Sequence, residues 1–171
     1  MLKEHAKLLV LFQEAGEVIG RKKLQKIVYI AKKFDYDFQE KFNFHFYGPY
    51  SEELTLQIEE LTNAGLVEEM KGNKSGYTQY KYVLSEAGKE FLSIYPTQLE
   101  GFSSFLQALN QESSRFLELV STILYFDSLE QDELIAKVQT VKSKQNYSAE
   151  EFERAFQFVQ SLQALKRPCV S

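Results

Sequence analysis

The sequence predicts a mainly α protein with a small β-sheet (α+β), and three observations support that fold class. Apolar residues recur at helical spacing along most of the chain, strand-like alternation is confined to residues 42–84, and glycine or proline separates the segments. Within 42–84 the order is strand, turn, helix, strand, loop, strand, which is typical of a winged-helix-like domain. Because only helical patterns follow Pro96, we expect a winged-helix-like domain over residues 1–95 and a helical module over 96–171.

Composition indicates a folded protein, and the cysteine count fits a reducing compartment. The 171 residues are 44% hydrophobic, which is sufficient for a packed core, and the formal net charge of −4 does not suit a general nucleic-acid binder. The single cysteine, Cys169, excludes an internal disulfide framework, and with only two histidines it makes a zinc site improbable. We see no signal peptide and no apolar run that approaches a membrane span. We therefore expect a cytoplasmic protein with no metal and no cofactor.

Two helices are predicted before the sheet, over residues 2–14 and 21–34. The second carries an apolar stripe at i, i+3, i+4 and i+7 spacing, so we expect its other side to be an exposed basic face. That face and its flank contain Lys22, Lys23, Lys26, Tyr29 and Lys33. It is interpreted either as a solvated surface or as a patch that binds an anion or an acidic partner.

The helix predicted over residues 51–64 is where a winged-helix DNA reader would contact the major groove, and its exposed side is acidic. Glu52 suits the positive end of the helix dipole, whereas Glu59 and Glu60 have no such structural explanation. Since the segment contains no Lys or Arg, phosphate would be repelled and groove reading is disfavoured. Leu56 among these carboxylates is either an apolar anchor for a protein partner or an isolated exposed leucine.

A short stretch, Tyr47-Gly48-Pro49-Tyr50, joins the first strand to this acidic helix. Gly48 permits a positive φ or a close backbone approach, and Pro49 restricts the entry to the helix. One interpretation is a tight strand-to-helix corner with aromatic packing. The other is a recognition corner formed together with the basic face of the preceding helix.

The sequence carries no enzyme signature. The sequence has no phosphate-binding loop, nucleophile elbow, His-Glu metal motif or cysteine pair. His45 and Ser51 lie close in sequence, but a strand position and a helix cap explain them better than a nucleophile and its base. We therefore do not expect an enzyme.

The last predicted helix has the clearest start in the chain. Ser148 and Glu151 have the spacing of a capping box, and Tyr147 and Phe152 have that of a hydrophobic staple. The helix is apolar over a wide arc. Such an arc packs either on the preceding helices or against a second copy of the chain in a homodimer.

Three motifs carry a family resemblance: Arg-Lys-Lys-Leu-Gln-Lys-Ile-Val-Tyr at residues 21–29, Phe-Tyr-Gly-Pro-Tyr-Ser at 46–51, and Gly-Leu-Val at 65–67. On these motifs the chain resembles the YwgA-type family of small bacterial proteins, and it is also similar to Panacea-type domains. The resemblance implies a winged-helix-like fold. For several relatives it also implies service as the neutralising partner in toxin–antitoxin pairs, where some related domains occupy a toxin's nucleic-acid site.

We therefore expect a non-enzymatic binding protein whose partner is another protein, in an antitoxin-like or nucleic-acid-mimicking role. The predicted partner-binding residues are Tyr47, Gly48, Pro49, Tyr50, Glu52, Leu56, Glu59 and Glu60. The alternative is a winged-helix DNA-binding transcriptional regulator. The candidate anion or nucleic-acid contacts are Lys22, Lys23, Lys26, Tyr29, Lys33, Lys71 and Lys74.

Overall fold

The structure is a computed structural model that describes residues 2–166. These residues form eight α-helices, five β-strands and one short 3-10 helix, and the mainly α class with a small sheet is confirmed. The elements in chain order are α1 (Leu2–Ala15), β1 (Glu17–Ile19), α2 (Arg21–Lys33), β2 (Asn43–His45), β3 (Gly48–Tyr50), α3 (Glu52–Asn63), β4 (Val67–Lys74), β5 (Tyr77–Leu84), α4 (Glu86–Ile94), α5 (Phe102–Asn110), α6 (Ser114–Tyr125), α7 (Gln131–Val141), the 3-10 helix (Ser143–Gln145) and α8 (Ala149–Lys166).

The larger sheet is antiparallel and has the strand order β1-β5-β4. Val18 of β1 and Glu69 of β4 both pair with Tyr82, so β5 is the central strand. The sequence did not predict β1, because three residues are too few to show the alternation of a strand. The helices α1, α2 and α3 with this sheet follow the order expected for a winged-helix-like domain, and kinship with that fold stays a prediction.

A second, two-stranded sheet, β2-β3, is formed by the segment that joins α2 to α3 in the chain, and β3 packs against α2 and α6. Gly48 and Pro49, which the sequence indicated as a corner between the first strand and α3, begin the return strand of a hairpin. Asn43 pairs with Tyr50 and Phe44 with Pro49. A short strand without a further neighbour tolerates proline because no ladder partner needs its missing N–H.

Helix α2 lies at the centre of the core. Eight consecutive residues, 24–31, are buried, since α5, α6, β1 and β3 all pack against α2. At its end Phe34 and Tyr36 contact Phe105 of α5, with ring centroids 5.3 and 4.8 Å apart. A single hydrophobic cluster therefore includes residues from both sides of residue 96. The division of the chain into two domains at that point stays a prediction.

Serine caps begin several helices, as the sequence predicted. The backbone N–H of Leu54 donates to Ser51 Oγ at 3.0 Å, which caps α3. At α8 the capping box is confirmed, because Ser148 N donates to Glu151 Oε1 and Glu151 N donates to Ser148 Oγ, both at 3.1 Å. None of the helices in the described part of the chain has the length and hydropathy of a bilayer-crossing segment.

Gly88 of α4 provides a test of this packing. A Cβ at Gly88 would overlap the carbonyl oxygen of Leu66 and approach Leu84 Cδ1 to 2.5 Å. Gly→Ala in a helix ordinarily stabilises by about 1 kcal/mol, but here the clash reverses the sign, and we expect a loss of about 1–3 kcal/mol. Urea unfolding measures this change. Gly72→Ala in β4 is the control, since its Cβ would lie 4.0 Å from Gln79 O; equal stability of the two variants would contradict the packing.

Candidate functional site

A cavity of about 420 Å³ lies between α2, α3 and the β4–β5 sheet, and we call it the α2–α3 groove. Its volume is within the range of sites that bind small ligands. The α2 side is lined by Arg21, Lys22, Leu24, Gln25 and Lys26. The α3 side is lined by Leu54, Thr55, Ile58, Glu59, Thr62 and Asn63. The tyrosines Tyr47, Tyr50 and Tyr82, with Glu69, complete the lining.

One end of the groove is held by Gln25, which bonds to both backbone polar groups of Ser51. Its amide oxygen accepts from Ser51 N at 2.8 Å, and its Nε2 donates to Ser51 O at 2.9 Å. The same Nε2 lies 3.0 Å from Thr55 Oγ1, which is 2.8 Å from the Tyr50 hydroxyl. Gln25 therefore positions the N-cap residue of α3 against α2.

Two buried lysines contact the segment just before Ser51, and we call residues 46–51 the aromatic corner. Lys26 Nζ donates to Pro49 O at 2.8 Å, and Lys142 Nζ donates to Phe46 O at 2.6 Å. Both side chains are almost fully buried. Carbonyl groups of the corner thus receive charge-assisted hydrogen bonds from helix α2 and from the residue that follows α7.

Glu118 of α6 joins these lysines in a buried charge cluster consisting of Lys26, Glu118 and Lys142. Glu118 Oε1 lies 3.7 Å from Lys142 Nζ, and its Oε2 accepts from the Tyr147 hydroxyl at 3.2 Å. A Cβ on Gly48 would come within 3.6 Å of Glu118 Cγ and 3.7 Å of Lys26 Cε, and Gly48 has φ +88°. Glycine suits this position because its φ is positive, a conformation that strains any residue with a Cβ, whereas the contacts to α2 and α6 are at ordinary van der Waals distance.

Burial dominates the electrostatics of the cluster. Desolvation lowers the pKa of Lys26 to about 8, although the Glu118 carboxylate opposes that shift. Lys142 and Lys22 repel the Lys26 charge and lower its pKa further. The pKa of Lys142 is also lowered, again mainly by desolvation. With two lysines and one carboxylate, the cluster carries an excess positive charge when all three groups are ionised.

The sheet side of the groove is held by a separate polar link. Arg21 Nε donates to the Tyr82 hydroxyl at 3.1 Å, and that hydroxyl donates to Glu69 Oε2 at 2.6 Å. Arg21 Nη2 is also 3.4 Å from the same oxygen of Glu69 and its guanidinium lies 3.6 Å from the Tyr80 ring centroid. The charge of Arg21 is therefore balanced within the protein.

The expectation of an exposed basic face on α2 was wrong for two residues. Lys26 is only 1% exposed and Tyr29 6%, because α6 and the β2–β3 hairpin cover this side of α2. Lys33 is exposed but lies 3.1 Å from Asp127, and Lys23 donates to Asn110 O at 2.5 Å. Lys22 is exposed, with Nζ 3.5 Å from the Tyr47 ring centroid.

The candidate contacts Lys71 and Lys74 belong to β4, and the predicted acidic residues belong to α3. Lys71 is exposed in β4, and the side chain of Lys74 lies outside what the structure describes. On α3, Glu52, Glu59 and Glu60 are exposed and Leu56 is 58% exposed. We call these four α3 residues the acidic face.

The aromatic corner divides into a buried and an exposed part. Gly48 and Pro49 are buried, so they position their neighbours and present little surface themselves. Tyr50 is half-buried, whereas Phe46 is 74% and Tyr47 46% exposed. The two exposed rings contact each other edge to face at 5.3 Å. They form an aromatic tip beside the groove, which Tyr47 also lines.

Sequence reasoning did not identify Gln25, Glu118 or Lys142 as functional candidates. Glu118 could have been noticed, since it is the lone charged residue in the apolar segment 116–124. Gln25 and Lys142 do not stand out in this way from the residues around them. Their partners are distant in sequence, 26 residues away for Gln25 and 96 for Lys142, so local patterns do not reveal them.

The fold and the groove define a small, mainly α protein with a buried charge cluster beneath an exposed aromatic tip. This chain belongs to the YwgA family. It is 56% identical over 165 residues to the Bacillus subtilis (strain 168) protein named "Uncharacterized protein YwgA", covering 96% of this chain and 99% of that relative. No family model matches the chain. The resemblance to the YwgA family is thus confirmed, and that to Panacea-type domains stays a prediction.

The lowered pKa of Lys26 predicts a specific pH dependence. Between pH 8 and the ordinary lysine pKa of 10.5 the unfolded chain binds more protons at this residue than the folded protein does. The free energy of unfolding should therefore rise with pH in that window, by at most about 1.4 kcal/mol per pH unit. Lys26→Met should remove this component, as measured by urea unfolding across the window.

The difference between wild type and Lys26→Met is the quantity to compare. Buried tyrosines with raised pKa values, among them Tyr29 and Tyr147, change stability in the opposite direction, and their effect cancels in that difference. Lys3→Met, at an exposed position of α1, is the control and should give parallel profiles. Parallel profiles for Lys26→Met would contradict the buried position of its ammonium.

Proposed function

We propose that the protein acts by binding another protein, and that the acidic face of α3 is the main contact surface. The observation that carries the proposal is an exposed leucine, Leu56, surrounded by carboxylates on a helix without a Lys or Arg. Such a face complements a basic surface that offers an apolar recess. The negative net charge of the chain would favour the encounter with a basic partner.

The aromatic tip extends this surface. Tyr47 and Glu59 both line the α2–α3 groove, so the tip and the acidic face border the same opening. Large exposed aromatic residues are enriched among the residues that dominate binding energy at protein interfaces. Phe46 and Tyr47 would therefore supply apolar anchors, while Glu52, Glu59 and Glu60 supply charge complementarity.

An antitoxin-like or nucleic-acid-mimicking role is the finer form of this proposal. A row of carboxylates presents negative charge to a partner much as phosphates would. A protein whose own site binds nucleic acid has the basic surface that this arrangement requires. The acidic face supports such a partner by charge, and the partner itself is to be identified by experiment.

The alternative, a DNA-binding regulator, has weaker support from the contacts. A phosphate-binding surface needs lysines that are free to reach the backbone of DNA. Lys26 is buried against Pro49 O, Lys33 is close to Asp127, and Lys23 donates to Asn110 O. Of the described lysines in the predicted set, Lys22 and Lys71 are exposed and have no such contact. Lys22 lines the same groove as Glu59 of the acidic face.

Charge reversal of the acidic face tests the proposal. The double variant Glu59→Lys/Glu60→Lys should lose most of the proteins that the tagged wild type retains from its native cell lysate. A basic partner would be repelled by the new charges, and we expect at least about a tenfold loss, equivalent to 1.4 kcal/mol. Quantitative mass spectrometry of the retained proteins measures the change.

The matched control is Glu14→Lys/Glu153→Lys, which alters net charge equally at exposed positions of α1 and α8. It should retain the same proteins as wild type. If the α3 variant behaves like this control, the acidic face is not the contact surface. Purified candidate partners can then be compared by titration with Leu56→Ala, which removes the apolar anchor but keeps every charge.

For the regulator alternative, the expected result is no binding of duplex DNA even at low ionic strength. The acidic face would repel phosphate, and the remaining lysines are too few to offset it. Fluorescence anisotropy of labelled duplexes measures this directly. An affinity that falls steeply with added salt and weakens in Lys22→Gln/Lys71→Gln would instead establish the alternative.

A further inference from the structure

The α2–α3 groove has the properties of a ligand site in addition to those of a protein-binding edge. Leu24, Leu54 and Ile58 are buried residues that provide an apolar floor. Tyr47, Tyr50 and Tyr82 provide aromatic walls, and the cavity measures about 420 Å³. An apolar body with the dimensions of a short alkyl chain or a two-ring aromatic group fits such a space.

The charges along the groove do not balance. Of its five charged lining residues, Arg21 and Glu69 pair with each other through a direct contact and through the Tyr82 hydroxyl. That leaves Lys22 and Lys26 against Glu59. Glu118, which acts on Lys26 from outside the lining, is offset by the neighbouring Lys142. Because Glu59 is an exposed residue of α3, water screens its charge, whereas Lys26 is buried. The α2 side is therefore cationic.

Lys22 and Lys26 are one helical turn apart, so their side chains leave α2 on the same side. The Lys22 ammonium lies over the Tyr47 ring at 3.5 Å, and Pro49 O accepts one of the three protons of the Lys26 ammonium. The hydroxyls of Tyr50 and Thr55 lie near the same end, but they bond to each other, and Thr55 Oγ1 also donates to Ser51 O. The two lysine ammonium groups are therefore the groups at this end that suit an anionic oxygen ligand.

From this arrangement we propose that the α2–α3 groove binds a small organic carboxylate. Its apolar body would lie on Leu24, Leu54 and Ile58, and its carboxylate would lie beside Lys22 at the end of the groove that contains Lys26. A bulky polyanion does not suit the site, because the acidic face borders the opening. This inference is independent of the protein-binding proposal, since it concerns the interior of the groove.

The test uses two pairs of probes that differ only in charge: octanoate with octanol, and 2-naphthoate with 2-naphthamide. Isothermal titration calorimetry and ¹H–¹⁵N NMR of the full chain measure affinity and position. We expect at least one acid to bind about tenfold or more tightly than its neutral counterpart, as a charge-assisted hydrogen bond would give. Amide shifts should concentrate at Lys22, Thr55 and Thr62.

Two variants check the location and the role of the charge. Thr62→Phe should place a ring in the cavity and abolish acid binding, and Lys22→Gln should weaken it about tenfold while leaving the neutral probes unchanged. Lys71→Gln removes the same charge from β4, outside the lining, and should bind as wild type does. A second cavity of about 270 Å³ lies between α7 and α8 and is lined by Phe152 and Phe156. Amide shifts at that cavity would indicate non-specific apolar binding.

Several outcomes would overturn the inference. They are equal affinity for acids and neutral probes, binding unaffected by Thr62→Phe, shifts centred on the α7–α8 cavity, or no binding of either acid. A fifth probe is a short peptide that ends in a leucine carboxylate. If that peptide binds and neither small acid does, the groove is a site for a protein C-terminus instead. None of these readouts depends on whether the acidic face binds a partner.

Discussion

The hydrogen bonds from α2 to the aromatic corner are the interaction on which the arrangement of this protein depends. Gln25 bonds to both backbone groups of Ser51, and the next residue, Lys26, bonds to Pro49 O. Because Ser51 caps α3, these bonds set where α3 begins relative to α2. Each buried backbone group would cost about 1–3 kcal/mol if it were left unpaired, so a displaced corner is strongly disfavoured. The groove between the two helices exists because this distance is maintained.

The C-terminal helices take part in the same arrangement. Lys142 reaches Phe46 O from a position 96 residues away, and Glu118 of α6 lies between the two lysines and the Tyr147 hydroxyl. Buried ions cost desolvation energy, and well-packed apolar residues would often be more stable. Such a cluster instead favours one geometry, because a lysine without its carbonyl or carboxylate would be an uncompensated buried charge. The aromatic tip is thereby held in place from both sides.

Features that arise from local patterns could be predicted from the sequence. The apolar periodicity of α2 and α3 and the caps at Ser51 and Ser148 depend on residues a few positions apart, and the structure confirms them. The burial of Lys26 could not be predicted in this way, because α6 covers it and the apolar stripe of α2 indicates only one buried side. The strand β1 depends likewise on a distant partner, Val18 pairing with Tyr82. Of the candidate site, the exposed Leu56 and carboxylates of α3 were predictable, whereas the groove was not.

The two proposed surfaces carry opposite charge within a short distance, and that arrangement separates their ligands. A polyanion such as duplex DNA brings many phosphates toward the acidic face, so the repulsion between phosphates and carboxylates adds up over many charges. A ligand with a single carboxylate brings only one negative charge and is repelled far less. Within the screening length of roughly 8 Å at physiological salt, its attraction to the nearby lysines exceeds its repulsion by the exposed Glu59. A basic protein surface is attracted to the acidic face throughout its approach. The proposed protein-binding face and the proposed carboxylate site are therefore compatible in one protein. The acidic face attracts a basic partner at long range, whereas the lysines of the groove attract a carboxylate only at short range.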